Sequence, residues 1–305
     1  MRGHFNRSEA RVRLQGQIGT ASKNKNNCMM KSHLKPERPV DSRKALKAAI
    51  EAAFAVGGLL RRNQHATKRA NHVTQHDIKL ELDVRSQKLI ERKLLVDFPR
   101  VAVLGEEGDS GSAESEYRWV IDPIDGTVNF SYGIPHACVS IALQQKAKRR
   151  SGSTYEDGYN TLVGVVYDPF CDELWTASAG QPARLNGRVI HVSTRRKLEE
   201  CIVSIGFAKS RESLEATLPY FNKLVHRIRK VRMMGSAALA LTYVASGRFD
   251  AYVERGINLW DIAAGGLILE CAGGDFWRRA SDSEQNFRMV ASNGLIRRKL
   301  QVPAW

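Results

Sequence analysis

The chain has 305 residues, 43% of them apolar, with ordinary Gly and Pro counts, enough to bury a real core as one large domain or two joined halves. Its net charge of +15 at pH 7 invites an acidic partner, but no apolar run approaches the length a membrane helix needs, which argues against a helical membrane protein. The five cysteines (Cys28, Cys138, Cys171, Cys201 and Cys271) are scattered, odd in number and free of Cys-x-x-Cys spacing, so they indicate neither a disulfide framework nor a zinc site and suit a reducing, cytoplasmic compartment.

Residues 1–40 hold nine Lys and Arg against Glu9 and Glu37, a net +7 that leaves +8 for the rest of the chain. This stretch has no hydrophobic period and no apolar core of a secretory signal, which predicts a disordered tail. It reads either as an organellar transit peptide or as an extension upstream of a later start at Met29 or Met30. Helical patterns follow at 41–63 and 82–98, and the Ala-rich part at 45–60, interrupted by Lys47 and Glu51, predicts an amphipathic surface helix. Strand-like runs come next at 101–104, 119–121, 139–143, 163–167 and 174–176. The basic run 146–150 continues into Ser151-Gly152-Ser153 and reads as a solvated hairpin loop, with too little aromatic interleaving for a single-strand nucleic-acid surface. Asn186-Gly187 predicts a β-turn.

The second half alternates. Strands at 202–205, 231–233, 249–253 and 289–291 are separated by helices at 214–228, from Gly235 to Ser246, and at 262–271 before Gly273-Gly274. Helices followed by adjacent strands make residues 41–180 an α+β half, and the alternation makes 181–305 an α/β half. The two are expected to pack face to face with the functional site between them.

Three acidic fragments carry the chemistry: Gly105-Glu106-Glu107, the string Trp119-Val120-Ile121-Asp122-Pro123-Ile124-Asp125-Gly126-Thr127, and Trp260-Asp261. Each has a plain structural reading. Glu106-Glu107 could be a solvated loop, Asp122-Pro123 and Asp125-Gly126 a strand stop and a turn, and Asp261 a helix N-cap. Carboxylates gathered at the ends of apolar strands repel one another, however, unless a hard cation neutralises them. Oxygen donors without interleaved His or Cys point to Mg²⁺ or Mn²⁺ rather than zinc or copper, and a turn at Pro123 would leave the Ile124 carbonyl free as a further oxygen ligand.

In combination these fragments resemble the inositol monophosphatase family of metal-dependent, lithium-sensitive sugar phosphatases, over about residues 45–293. The resemblance implies a layered αβαβα fold, a homodimer, and two or three Mg²⁺ per active site. One ion would be held by Glu106, Asp122 and the Ile124 carbonyl, and a second by Asp122, Asp125 and Asp261. Thr127, paired with an upstream Asp, would help activate water, with Glu106 sharing that task. Two overlapping segments offer the upstream residue: 71–77 ends at Asp77, whereas 77–83 ends at Asp83, which the spacing to Glu106 favours. His72 stands where the family has a Lys, leaving Lys79 as a substitute. Asp125, Gly126, Thr127, Gly235, Ser236, Ala237, Glu254 and Asp261 would contact a small phosphorylated polyol. A helix start at Gly235-Ser236-Ala237 could offer backbone amides to an anion or hydroxyl, and the Glu254 carboxylate could accept from two ring hydroxyls.

The implied reaction is hydrolysis of a phosphomonoester, chiefly myo-inositol monophosphate. Relatives that take histidinol phosphate, fructose 1,6-bisphosphate or 3′-phosphoadenosine 5′-phosphate keep the same ligands. A catalytically idle member that binds nucleic acid or another polyanion is the reading from a different class, and the intact set Glu106, Asp122, Asp125, Thr127 and Asp261 argues against it.

Overall fold

Asp41 opens the first helix: its carboxylate accepts from the amides of Arg43 and Lys44 at 2.8 and 3.4 Å. The computed structural model describes residues 39–67, 70–73, 78–112, 115–149, 151–207, 211–281 and 286–303; the basic tail before Pro39 and the candidate Asp77 lie outside them. Helix α1 (Ser42–Asn63) is amphipathic as its pattern indicates, with Lys47 and Glu51 on the exposed face. It buries Ala45, Ala48, Ala49, Ala52, Ala53 and Val56, and these small side chains bring its backbone close to the sheet beneath. At Gly57 a Cβ would lie 2.3 Å from the Tyr167 ring.

A two-stranded ribbon, β1 (Ala70–Val73) and β2 (Ile78–Leu80), leads into α2 (Glu81–Asp97). A seven-stranded sheet then forms in chain order from β3 (Ala102–Gly105), β4 (Tyr117–Asp125), β5 (Cys138–Lys146), β6 (Tyr159–Asp168), β7 (Glu173–Ser178), β8 (Arg184–Leu185) and β9 (Arg188–Val189). Only β3 and β4 pair in parallel; the rest are antiparallel. Helix α3 (Thr127–Ser131) lies between β4 and β5. Of the basic run, Lys146 ends β5 and Lys148 and Arg149 lie in the connection towards β6, while Asn186-Gly187, both at positive φ, turns β8 into β9.

The second sheet has five strands in the order β11 (Lys230–Arg232), β10 (Ile202–Ile205), β12 (Ala251–Asn258), β14 (Asn286–Ser292) and β13 (Asp275–Ala280). Its parallel part, β11-β10-β12, is joined through α4 (Arg211–Val225) and α5 (Ala237–Ala245). Helix α6 (Leu259–Cys271) packs on β4 to β7 on one side and on β12 to β14 on the other, beside α5. Helices α1 and α2 cover the far face of the seven-stranded sheet. The far face of the five-stranded sheet holds Tyr220 and Leu224 of α4 and Leu300 of α7 (Arg297–Leu300). The layers therefore read αβαβα, a layered sugar-phosphatase fold. Between the sheets, the central core gathers Ala238, Leu241, Ala264, Ile268, Trp175 and Phe287.

One expectation is corrected. Asp122-Pro123 does not stop the ladder: β4 continues to Asp125 across a register shift, with Asp122 opposite Ser140 and Asp125 opposite Cys138. Pro123 is tolerated because the bulge asks no ladder hydrogen bond of it. Strand β13 (Asp-Phe-Trp-Arg-Arg-Ala) escaped the pattern because, as the sheet edge, it lacks a clean apolar alternation.

Candidate metal centre and active site

The ends of β3, β4, β10 and β12 and the starts of α3, α5 and α6 converge on one cavity of about 660 Å³. The bulge in β4 makes the centre. Asp122, 2% exposed, turns one carboxylate oxygen back onto the Ile124 amide at 3.0 Å, which fixes the loop that presents the Ile124 carbonyl. Gly126 follows at φ 92°, where a Cβ would lie 2.9 Å from the His136 carbonyl oxygen. Thr127 then starts α3.

Asp125 is clamped by the start of α5. Ser236 Oγ donates to its Oδ2 at 2.5 Å, the Ala238 amide donates to the same oxygen at 2.7 Å, and the Ala237 amide donates to Oδ1 at 3.1 Å. The anion held by this helix start is thus the Asp125 carboxylate of the same chain, rather than an external group as the sequence suggested. Cys138, buried and free, adds a thiol contact to Oδ2 at 3.6 Å.

Asp261 is not the N-cap. That place belongs to Asn258, and Asp261 sits at the third position of α6 with Oδ2 accepting from the Asn258 amide at 2.9 Å. Asp83 is likewise no surface charge: it is 2% exposed at the third position of α2, with Oδ2 on the Leu80 amide at 2.6 Å. Its other oxygen lies 3.5 Å from Thr127 Oγ1, which donates to the Ile124 carbonyl at 2.8 Å. Asp83 stands behind Thr127 rather than in the cavity wall. Glu106, Asp122, Ile124, Asp125, Gly126, Thr127, Gly235, Ser236, Ala237, Glu254 and Asp261 all line the cavity. The side chains of His72 and Lys79 lie outside the described residues.

One oxygen each from Asp122, Asp125 and Asp261 lie within 4.8 Å of one another. Burial first, then the charges of Glu106, Asp125, Asp261 and Asp83, push the Asp122 carboxyl well above its ordinary range. Asp261 is raised by burial, Asp125 and Glu106, and burial raises Asp125 against the bonds from Ser236, Ala238 and Ala237. Among the described residues no Lys, Arg or His lines the cavity, in a chain of net +15. Buried carboxylates crowded together without a basic side chain fit hard divalent cations, and the all-oxygen donor set fits them in kind.

Four supporting residues were not legible beforehand. Gln87 of α2, 4% exposed, accepts from the Glu107 amide at 2.9 Å and donates to the Gly108 carbonyl at 2.7 Å, which holds the Glu106 turn. Cys138 and Gly206 also reach the site or its carboxylates through tertiary packing, and Tyr252 donates to Glu254 two residues further along β12. No local pattern marks such residues.

Residues 41–301 match the model of the inositol monophosphatase family. The chain is 36% identical to the Nus factor SuhB of Xylella fastidiosa over 268 residues, covering 84% of this chain and 93% of that one. It is also 36% identical to an inositol-1-monophosphatase of Synechocystis over 283 residues, covering 88% and 92%. The solved inositol monophosphatase of Anabaena superposes with a TM-score of 0.72 at 35% identity, over 86% of this chain and 99% of that one. A family match across most of the chain, joined to the same fold and a buried acidic centre, places this protein in the inositol monophosphatase family.

Proposed function

We propose that the protein is a Mg²⁺-dependent phosphomonoesterase that hydrolyses myo-inositol monophosphate to inositol and phosphate. The observation that carries this reading is the cavity of carboxylates around Asp122, with no basic side chain among the described residues that line it. Glu106, Asp122 and the Ile124 carbonyl would hold one Mg²⁺, and Asp122, Asp125 and Asp261 another; a third ion or Mn²⁺ suits the same donors. When bound, the ions supply positive charge to the transferring phosphoryl group and make water nucleophilic at neutral pH.

The chain's own groups do the rest. Asp125 is held by three donors of the α5 start and so keeps a fixed carboxylate in the cavity. Asp83 and the Ile124 carbonyl flank the Thr127 hydroxyl, which can take a proton from an attacking water as it passes its own to Asp83. The Glu106 carboxylate faces the same space and can take up a proton. Glu254, on the cavity wall, accepts from substrate hydroxyls.

Relatives at equal identity are named Nus factor SuhB and inositol-1-monophosphatase, so overall identity does not separate an enzyme from an idle binding protein. The complete donor set favours the enzyme. Inhibition by Li⁺, a homodimer and a cytoplasmic setting belong to the same proposal; no helix among the described residues is long and apolar enough to cross a membrane. The test is phosphate release with Mg²⁺ from inositol 1-phosphate, histidinol phosphate, fructose 1,6-bisphosphate and 3′-phosphoadenosine 5′-phosphate. Preference for inositol 1-phosphate is the expected result. Preference for another ester would refute the substrate, and Mg²⁺-bound protein that releases phosphate from none would refute the enzyme.

A further inference from the structure

Residues 41–305 carry a net +8, and three short segments account for nearly all of it. Residues 195–200, 227–230 and 297–299 hold nine Lys and Arg against Glu199 and Glu200, so the remainder from residue 41 is close to neutral. The segments are far apart in the chain and are tied to one another in the fold. Arg227 donates to the Lys299 carbonyl at 2.8 Å, and Lys299 Nζ donates to the Arg196 carbonyl at 2.7 Å. The Arg229 amide donates to the Cys201 carbonyl at 3.0 Å, and the Asn293 side chain donates to the Arg195 carbonyl at 2.9 Å. All three segments lie at one end of the five-stranded sheet, before β10, at the start of β11 and after β14. The cavity takes the opposite end, where Ile205 closes β10 and Asn258 of β12 faces Asn286 of β14.

We propose that this end of the sheet is a docking surface for the phosphate backbone of a nucleic acid, bound without regard to sequence and independently of the phosphomonoesterase reading. Arg195 and Arg297 are held by Asp250 at 2.9 Å and Asp275 at 3.4 Å, and Lys197 lies 3.9 Å from Glu200. Arg196, Arg229, Lys230 and Arg298 are different: they are exposed, and their side chains have no hydrogen bond or ion pair among the described residues. Like charges gathered in this way repel one another and together build a positive potential that an anion relieves. Six of the nine cations are Arg, whose planar fork meets two phosphate oxygens at once. From β11 across β10 and β12 to β14 the band spans three strand spacings, about 14 Å. A duplex carries one charge per about 1.7 Å of its axis, so a band of that width faces several phosphates together. Because the cavity opens at the other end, a docked backbone leaves it clear.

The experiment measures fluorescence anisotropy of a labelled duplex DNA of mixed sequence against the full chain, from about 50 to 200 mM KCl. One variant combines Arg196→Ala, Arg229→Ala, Lys230→Ala and Arg298→Ala. A control removes as many exposed cations from α1 and α2, as Arg43→Ala, Lys88→Ala, Arg92→Ala and Lys93→Ala. The unmodified chain binds with an affinity that falls steeply with salt. In the first variant affinity at the lowest salt drops about tenfold or more, and the slope of log K against log salt becomes shallower by about 3, while the control changes both much less. If the fourfold variant does not fold, Arg196→Ala with Arg229→Ala and Lys230→Ala with Arg298→Ala are each expected to show about half the change in slope. No binding by the unmodified chain overturns the proposal. So does an unchanged slope in the first variant, which would move binding to the basic tail, or an equal loss in the control, which would leave only net charge. Polyglutamate or phosphatidylserine vesicles bound as tightly as the duplex would replace the nucleic acid by an acidic protein or a membrane surface and overturn it equally.

Discussion

Asp83 and Asp261 do the same thing in two unrelated helices. Each is the third residue of its helix, Asp83 buried and Asp261 partly exposed, and each turns one carboxylate oxygen back to the backbone amide three residues earlier, Leu80 at 2.6 Å and Asn258 at 2.9 Å. The bond stabilises the helix start and also freezes the carboxylate, so that the remaining oxygen of Asp83 is directed at Thr127 and an oxygen of Asp261 meets those of Asp122 and Asp125. Capping and function are one arrangement here.

Ser236 gives the clearest case of support at one remove. Ser236→Ala removes a 2.5 Å bond to Asp125 and the N-cap of α5, whose side chain also accepts from the Leu239 amide. The expected outcome is a loss of stability of about 1 kcal/mol, with Mg²⁺ affinity down about 10–100-fold. Calorimetric titration with Mg²⁺ beside denaturant unfolding checks both, and unaltered affinity would show that the α5 start alone suffices.

Gln87 ties α2 to the Glu106 turn. Replacing it by Ala leaves the Glu107 amide and the Gly108 carbonyl without that partner and is expected to cost about 1–3 kcal/mol. Turnover should fall with it as Glu106 loosens. A stable variant with full activity would place the rigidity of the turn elsewhere, for example in the Gly105 amide bond to Asp109 at 3.2 Å.

Asp168, away from the ligand set, predicts a pH dependence. It is fully buried, burial raises its carboxyl above the ordinary range, and the amides of Cys171 and Phe170 only partly oppose this. Between the unfolded value, near 3.8, and the raised folded value, the folded chain binds a proton that the unfolded chain has released, so this group's contribution to stability falls as pH rises through that window. Asp168→Asn carries no such proton. Its stability relative to the unmodified protein should therefore be least favourable at pH 3.5 and improve towards pH 7; thermal midpoints across that range would contradict the argument if the difference moved the other way.

The basic tail is predicted to take no part in catalysis. A chain lacking residues 1–29 should turn over inositol 1-phosphate at the rate of the full chain, since the family match begins at residue 41 and, among the described residues, the cavity lining begins at Glu106. A large loss of rate would make the tail part of the enzyme.

Much of this architecture is local in origin and could be read from the chain. Helix α1 ends at Asn63 and β10 spans Ile202–Ile205 as the patterns indicate, because propensity, caps and burial agree there. The acidic fragments announced a site because carboxylates beside apolar strands are costly without a cation. What stayed hidden depends on packing between distant segments. The β4 bulge lets a proline continue a buried strand, and the α5 start is occupied by Asp125 from 112 residues earlier. Gln87 and Gly206 act on residues that only the folded chain brings beside them.

The most direct measurement is phosphate release from inositol 1-phosphate across a Mg²⁺ titration, for the unmodified protein and Asp122→Asn. Asn can keep the bond to the Ile124 amide, so the fold should persist, while the charge that would bridge two ions is lost. The account predicts saturable, Mg²⁺-dependent release by the unmodified chain, abolished by chelator, and only background release by the folded variant. Undiminished turnover in Asp122→Asn, or turnover indifferent to Mg²⁺, would contradict it.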